Sequence, residues 1–217
     1  PYTVFNSSDI GVVDLSSYDK VIISSDQNDT FYDAVEANLS WFEAYAAGGG
    51  QLEIHAADNA WWGGNWSVMP GGFTHDESFY DTVDIAMPDH PVLEAPHIIT
   101  DGELDNWFYS SHGYFLDGLP AGSEVILTTS NEPVFVISPW GNGTIMISTQ
   151  PLEWGYYFDY SPLLENVVLY CPLYELHNTW ITYNATLMLS SWDEGCMDGV
   201  GLDTLLYRIY YNDSTGY

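Results

Sequence analysis

The stretch KVIISSDQNDTFYDAVEANLSWFEAYAAGGGQLEIHAAD, residues 20–58, decides the fold. KVIISSD (20–26) is a short apolar run with β-branched residues that closes on polar turn residues, the pattern of a buried strand. Thr30 is then placed to cap a helix, with Asp33 in its first turn. Phe31, Val35, Leu39, Phe42 and Ala46 fall on one helical face, and Gly48 to Gly50 stop the helix. QLEIHAA (51–57) reads as a second buried strand. A strand, a helix and a strand in this order predict parallel strands joined by a right-handed crossover.

The next segment, DNAWWGGNWSVMPGGFTHDESFYD (58–81), is too polar for a core strand and too aromatic for a linker. Loops of this length are usually functional or fold down as lids. TVDIAMPDHPVL (82–93) predicts a short strand and a proline-bounded turn, and GELDNWFYSSHGYF (102–115) a helical turn. EVILTTS (124–130), PVFVISPWG (133–141) and GTIMISTQP (143–151) predict three strands, with WGNGT as the hairpin turn between the last two. SPLLENVVLYC (161–171) predicts a helix capped by Ser161, with Pro162 at its first position. Beyond Pro172–Asn178 the character changes. TWITYNATLMLSS and DTLLYRIYYND predict antiparallel strands without helices, so two units are expected, residues 1–173 and 174–217.

The 217 residues carry 46% apolar and 16% aromatic side chains, enough for a full core and too many aromatics for a disordered chain. Against 31 Asp and Glu stand two basic residues, Lys20 and Arg208, for a net charge of −29. Phosphate contacts need Lys and Arg, so nucleic acid is excluded as a partner, and anionic membrane surfaces with it. No apolar run reaches the ~18 residues of a membrane span. Self-repulsion on this scale calls for salt, low pH or bound cations, which favours an extracellular or high-salt setting. Seven N-x-S/T sequons, beginning at Asn6, Asn28, Asn38, Asn65, Asn142, Asn184 and Asn212, point to a secreted, N-glycosylated surface protein. Cys171 and Cys196 either form the one bridge open to them, as secretion favours, or stay two buried thiols.

Taken together, LSSYDKVIISSDQ, WFEAYAAGGGQLEIHAAD, MPGGFTH, DHPVL, SHGYF and STQPLEWGYYFDYSPLLENVVLY resemble the class I glutamine amidotransferase-like superfamily over residues 13–171. More narrowly, they resemble its non-catalytic type from archaeal and bacterial secreted surface proteins. The resemblance implies a flavodoxin-like, three-layer α/β fold with a mostly parallel sheet. It also implies a strand ahead of LSSYDKVII, with PYTVF (1–5) as a following or edge strand. The tail DGVGLDTLLYRIYY resembles the opening of an immunoglobulin-like repeat.

In that superfamily the residue after the second strand's counterpart is a Cys on a strained turn, activated by a His that a Glu orients. Here the position is Ala56 to Asn59, with no thiol or hydroxyl. Amide hydrolysis is therefore not expected. His55, Asp58, His75, His112 and Glu153 come from segments whose ends are expected to converge at the carboxyl edge of the sheet. Such a set would suit zinc or another divalent metal, or acid–base work. Each also has a structural reading, such as a core histidine or a loop-capping carboxylate. The acidic loops SDQNDTFYD (25–33) and DEGCMDGVGLD (193–203) offer calcium-type oxygens without the spacing of a calcium hand.

Trp61, Trp62, Trp66, Phe73, Phe79 and Tyr80 are expected to form a lid, to bind copies of the chain, or to stack on sugars. The leading expectation is a structural or assembly subunit of a surface layer, sheath or filament. The alternatives are a carbohydrate-binding module of a larger secreted protein and a metal-dependent hydrolase.

Overall fold

The computed structural model describes residues 2–116 and 118–171. The expected second unit, residues 174–217, lies outside these residues, as do Asn184, Cys196, Arg208, Asn212 and the acidic loop at 193–203.

Six strands form one mixed sheet in the order β1-β2-β8-β7-β6-β4. They are β1 (Lys20–Ile23), β2 (Gln51–His55), β4 (Asp84–Ile85), β6 (Glu124–Thr129), β7 (Glu132–Trp140) and β8 (Gly143–Ser148). β1, β2 and β8 run parallel, with Val21 opposite Leu52 and Ile54 opposite Ile147. β7, β6 and β4 continue the sheet antiparallel. A separate two-stranded ribbon pairs β3 (Phe79–Tyr80) with β5 (Ser111–His112).

Strand alternation divides the core between the two faces. Leu52, Ile54, Ile145 and Ile147 pack with Tyr32, Val35, Phe42 and Ala46 of α1 (Asp29–Glu36) and α2 (Leu39–Ala47). Met146, Phe135 and Ile137 pack on the other side with Leu163 and Val167 of α5 (Leu163–Leu169), Leu104 of α3 (Asp101–Leu104) and Leu152 of α4 (Leu152–Tyr157). Each such side chain, fully buried, contributes about 1.5–3 kcal/mol. A long apolar helix is absent: no described helix could cross a membrane.

Several local expectations change. The single helix capped by Thr30 is two helices. Asn28 caps the first, its side-chain oxygen accepting from Phe31 N at 3.0 Å. The break falls at Asn38, whose Nδ2 donates to Ala34 O at 2.8 Å. An Asn side chain competes with the helix for its own backbone, and the apolar periodicity runs through the junction unaltered, which hides it. Residues 2–5 of PYTVF lie in no strand. Helix α5 starts one residue later than expected, with Pro162 at the cap position and the Ser161 hydroxyl accepting from Leu163 N at 3.2 Å. The expected helical turn in 102–115 is α3, where Glu103 reaches back to Thr100 N at 2.8 Å as half of a capping box.

Candidate functional site

Because β1, β2 and β8 are parallel, their carboxyl ends bring Ser24–Gln27, Ala56–Asn59 and Thr149–Glu153 to one edge. Short bonds stitch these ends together: Asp26 N donates to Ala57 O at 2.9 Å and Ala56 N to Ser148 O at 2.6 Å. Asp26 and Asn59 both adopt left-handed backbone, with φ of 51° and 54°, a conformation their short polar side chains tolerate. The turn expected to carry a nucleophile holds buried Ala56, Ala57 and Asp58.

The five expected site residues gather at this edge as two separate clusters. The first is a chain of charges, buried at Glu53 and His55 and partly exposed at Glu153. Glu53 and His55 sit two apart on β2, so they share the face opposite Leu52 and Ile54. Nε2 of His55 is 2.7 Å from Glu53 Oε1, and Nδ1 is 2.7 Å from Glu153 Oε1. With a carboxylate on each nitrogen, the ring carries two protons. Burial alone would lower its pKa, but Glu153 and Glu53 outweigh burial and raise it to about 10. Glu153 in turn falls to about 2: burial opposes its charge, and His55 and Ser25 overcome this. Ser25 holds both Glu153 oxygens, through its N at 3.1 Å and its Oγ at 2.7 Å.

At the far end, Lys20 Nζ lies 2.9 Å from Glu53 Oε2 and donates to the carbonyls of Val167, Val168 and Tyr170 at 2.9, 2.7 and 3.0 Å. One of the chain's two basic residues thus caps the C-terminal carbonyls of α5, where a cation is favoured. Burial lowers the Lys20 pKa and Glu53 counters it; Glu53 is itself lowered, despite burial, by His55 and Lys20.

The second cluster is Asp58, His75 and His112. The Asp58 carboxylate is buried, accepting from Trp66 N at 2.8 Å and lying 3.1 Å from His75 Nε2. His112 Nδ1 is 2.6 Å from the Asp58 backbone oxygen. A carbonyl only accepts, so Nδ1 carries the proton and Nε2 keeps its lone pair when the ring is neutral. Burial lowers the His112 pKa, in spite of Asp58, and favours that neutral form.

These clusters do not merge into a metal site. His55 has both nitrogens committed to carboxylates, and among the described residues no group of three or more His, Cys, Asp or Glu is arranged to hold a metal. In the calcium-type loop at 25–33, two carboxylate oxygens already accept backbone N–H groups. Asp26 Oδ1 accepts from Trp62 N at 3.1 Å, and Asp29 Oδ1 from Asn65 N at 3.3 Å. The order hydroxyl–carboxylate–imidazolium at Ser25, Glu153 and His55 reverses the hydroxyl–imidazole–carboxylate order that activates a serine. A carboxylate with a pKa of about 2 is also a weak base for that task.

The expected aromatic loop divides in two. Trp66 and Phe73 belong to the core, packed on Tyr32 at 4.2 Å and on Phe115 at 5.5 Å between ring centroids. They are not available for stacking or contact, because the loop folds back under its own Asp58–Trp66 bond. Tyr80 is half-buried and donates to Asp76 at 3.0 Å. Trp61 and Trp62 are free to act, 79% and 72% exposed.

Sequence reasoning missed their neighbours. Trp154 lies 6.4 Å from Trp61 and 4.3 Å from Phe158, and Tyr157 packs edge-on against Phe158. All of these are exposed; Phe108 and Tyr109 are exposed as well, with Tyr109 5.0 Å from Phe79 between ring centroids. The signal was present in EWGYYFDY (153–160), where a six-residue helix, α4, cannot bury aromatics on every side. Glu53 and Lys20 were also missed, although a Glu inside an apolar strand already calls for a buried partner.

The sequons differ in access. Asn6, Asn28, Asn65 and Asn142 are exposed, whereas Asn38 is half-buried. Cys171 carries no free thiol, and the other half of the expected bridge, Cys196, lies outside the described residues.

The fold and the site define a mixed α/β domain with polar clusters and exposed aromatics at the carboxyl edge of its parallel strands. No protein-family profile matches the chain. It is 31% identical over 175 residues to an uncharacterized protein of Clostridium acetobutylicum, covering 77% of this chain and 17% of that one. The chain therefore spans about a sixth of that relative's length. Among solved structures it is similar to two cytoplasmic proteins of Salmonella typhimurium. One matches at a TM-score of 0.46 and 18% identity over 70% of this chain and 71% of that one. The other matches at 0.43 and 14% over 70% and 73%. An exo-β-1,4-mannosidase of an Opitutaceae bacterium matches at 0.40 and 15%, over 67% of this chain and 23% of the enzyme.

Proposed function

We propose that the chain is a non-catalytic contact module of an N-glycosylated extracellular assembly, such as a surface layer, sheath or filament. In this reading residues 1–173 form an amidotransferase-like, three-layer domain, and residues 174–217 open an immunoglobulin-like repeat. Apolar clusters on both sheet faces support the layering. The observation that carries the function is the group of exposed aromatics, Trp61, Trp62, Trp154 and Tyr157 among them, beside a β2 end that holds Ala56, Ala57 and Asp58 instead of a thiol or hydroxyl nucleophile.

Large exposed apolar patches mark contact surfaces, and aromatics dominate the cores of such contacts. Copies of net charge −29 repel one another at low salt, so assembly is expected to need cations or salt. Sedimentation of the purified chain tests this. Concentration-dependent association in calcium and salt, weakened by Trp62→Ala with Tyr157→Ala, is the expected result. A chain that stays monomeric at high concentration under those conditions removes the reading.

A further inference from the structure

We propose that Trp61, Trp154 and Phe158 form a stacking platform for a neutral saccharide chain, with the Asp26 side chain at its edge to meet sugar hydroxyls. This goes beyond the assembly reading and stands or falls apart from it. The platform is built, not incidental. The turn that presents Trp61 is closed by Asn59 N on Gly64 O at 2.9 Å and tied down by Trp62 N on Asp26 and Gly64 N on Gln27 O at 3.1 Å each. A side chain at position 64 would meet Gln27 O at 2.4 Å, so the turn sits flush against the loop after β1. The backbone is held while the Trp61 ring stays 79% exposed. Across from it, α4 supplies Trp154, 39% exposed and tilted 37° to Trp61, and Phe158, 42% exposed, follows at the helix end.

Saccharide sites combine such aromatic faces, which take the apolar C–H face of a sugar, with a few placed polar groups. The Asp26 carboxylate, which accepts from Trp62 N next to Trp61, is such a group at this strip. Charge selects the ligand class. The overall charge of −29 repels anionic glycans. Next to Trp154, the Glu153 carboxylate is compensated by His55. A neutral, hydroxyl-rich chain fits this strip, and the Asp26 carboxylate makes a cationic ligand the competing outcome of the test.

The test titrates the full 217-residue chain with neutral hexasaccharides of glucose, mannose and N-acetylglucosamine, read by tryptophan fluorescence and calorimetry. At least one is expected to bind saturably, with little dependence on salt and with at least tenfold loss in Trp61→Ala. Trp61 is exposed enough that this variant keeps its fold, checked by its unfolding midpoint. Trp154→Phe, which keeps a smaller ring, is expected to lose less than Trp154→Ala. Comparing glycosylated with enzymatically deglycosylated protein separates the sources. Sites that open after deglycosylation were filled by the chain's own glycans, whereas equal titration places the saccharide on another molecule. No binding by any of the three overturns the proposal. So does salt-sensitive binding of oligolysine that the same variants abolish, which would make the strip a cation site.

Discussion

Nδ1 of His55 lies 2.7 Å from Oε1 of Glu153, joining the middle parallel strand to the helix that follows its neighbour β8. Stability should therefore follow the titration of this pair. The His55 pKa is raised from 6.5 to about 10 in the fold. Its contribution is complete below pH 6.5 and is lost as pH rises through about 10. The Glu153 pKa is lowered from 4.5 to about 2, so its contribution is complete above pH 4.5 and is lost as pH falls through about 2. Unfolding midpoints measured against pH are expected to be highest between these limits. His55→Gln should flatten the alkaline limb; an unchanged alkaline limb would show that the ring is not held protonated.

Glu53 bridges both cations of the buried chain, Lys20 at 2.9 Å and His55 at 2.7 Å. Removing its charge leaves two buried cations short of a partner, a change that costs about 3–5 kcal/mol where one partner of a buried pair is lost. Glu53→Gln is expected to show that loss in denaturant unfolding. Lys20→Met should cost less, because Glu53 keeps its bond to His55. Equal losses would mean that the chain does not act as a unit.

The parallel unit β1–β2, the β7–β8 hairpin and α5 are legible from period and punctuation, since Ile, Val and Leu runs end on Gly, Asn or Asp turns. The break at Asn38 is not, because it depends on one amide turning back on Ala34 while Phe31, Val35, Leu39 and Phe42 keep a continuous stripe. The site was legible as an edge but not as a geometry. His55, Asp58, His75, His112 and Glu153 do reach the carboxyl ends. Their division into two clusters depends on which strand face each leaves from, and on Glu53 and Lys20, which pattern reading assigned no role. Trp61 and Trp66 look alike in sequence. The bond from Trp66 N to buried Asp58 sends one ring inward and leaves the other in solvent.

That difference has a measurable cost. Trp66 packs on Tyr32 in the core with 4% exposure, and replacing such a ring with Ala costs about 3–5 kcal/mol. Trp66→Ala is expected to lower stability by this amount in urea unfolding, with Trp61→Ala within about 0.5 kcal/mol of the parent. Comparable losses at both sites would place Trp61 in a packed lid, and the exposed rim would lose its leading member.

The sequons should be filled unequally. Glycans attach through Nδ2. At Asn28 the helix cap uses Oδ1, at 3.0 Å from Phe31 N, so cap and glycan do not compete. Asn65 is exposed, and Asn142 stands exposed at the tip of the β7–β8 hairpin. At Asn38, by contrast, Nδ2 already donates to Ala34 O at 2.8 Å, and a Cβ at Gly11 would fall within 2.9 Å of Asn38 Cγ, so the 11 segment closes over the amide. A glycan there would have to open the α1–α2 junction. Glycopeptide mass spectrometry of protein from its natural source is expected to find Asn28, Asn65 and Asn142 modified and Asn38 bare. Full occupancy at Asn38 would mean that the segment around Gly11 does not pack as described, and bare asparagines at all seven sequons would remove the extracellular placement on which the contact-module reading depends.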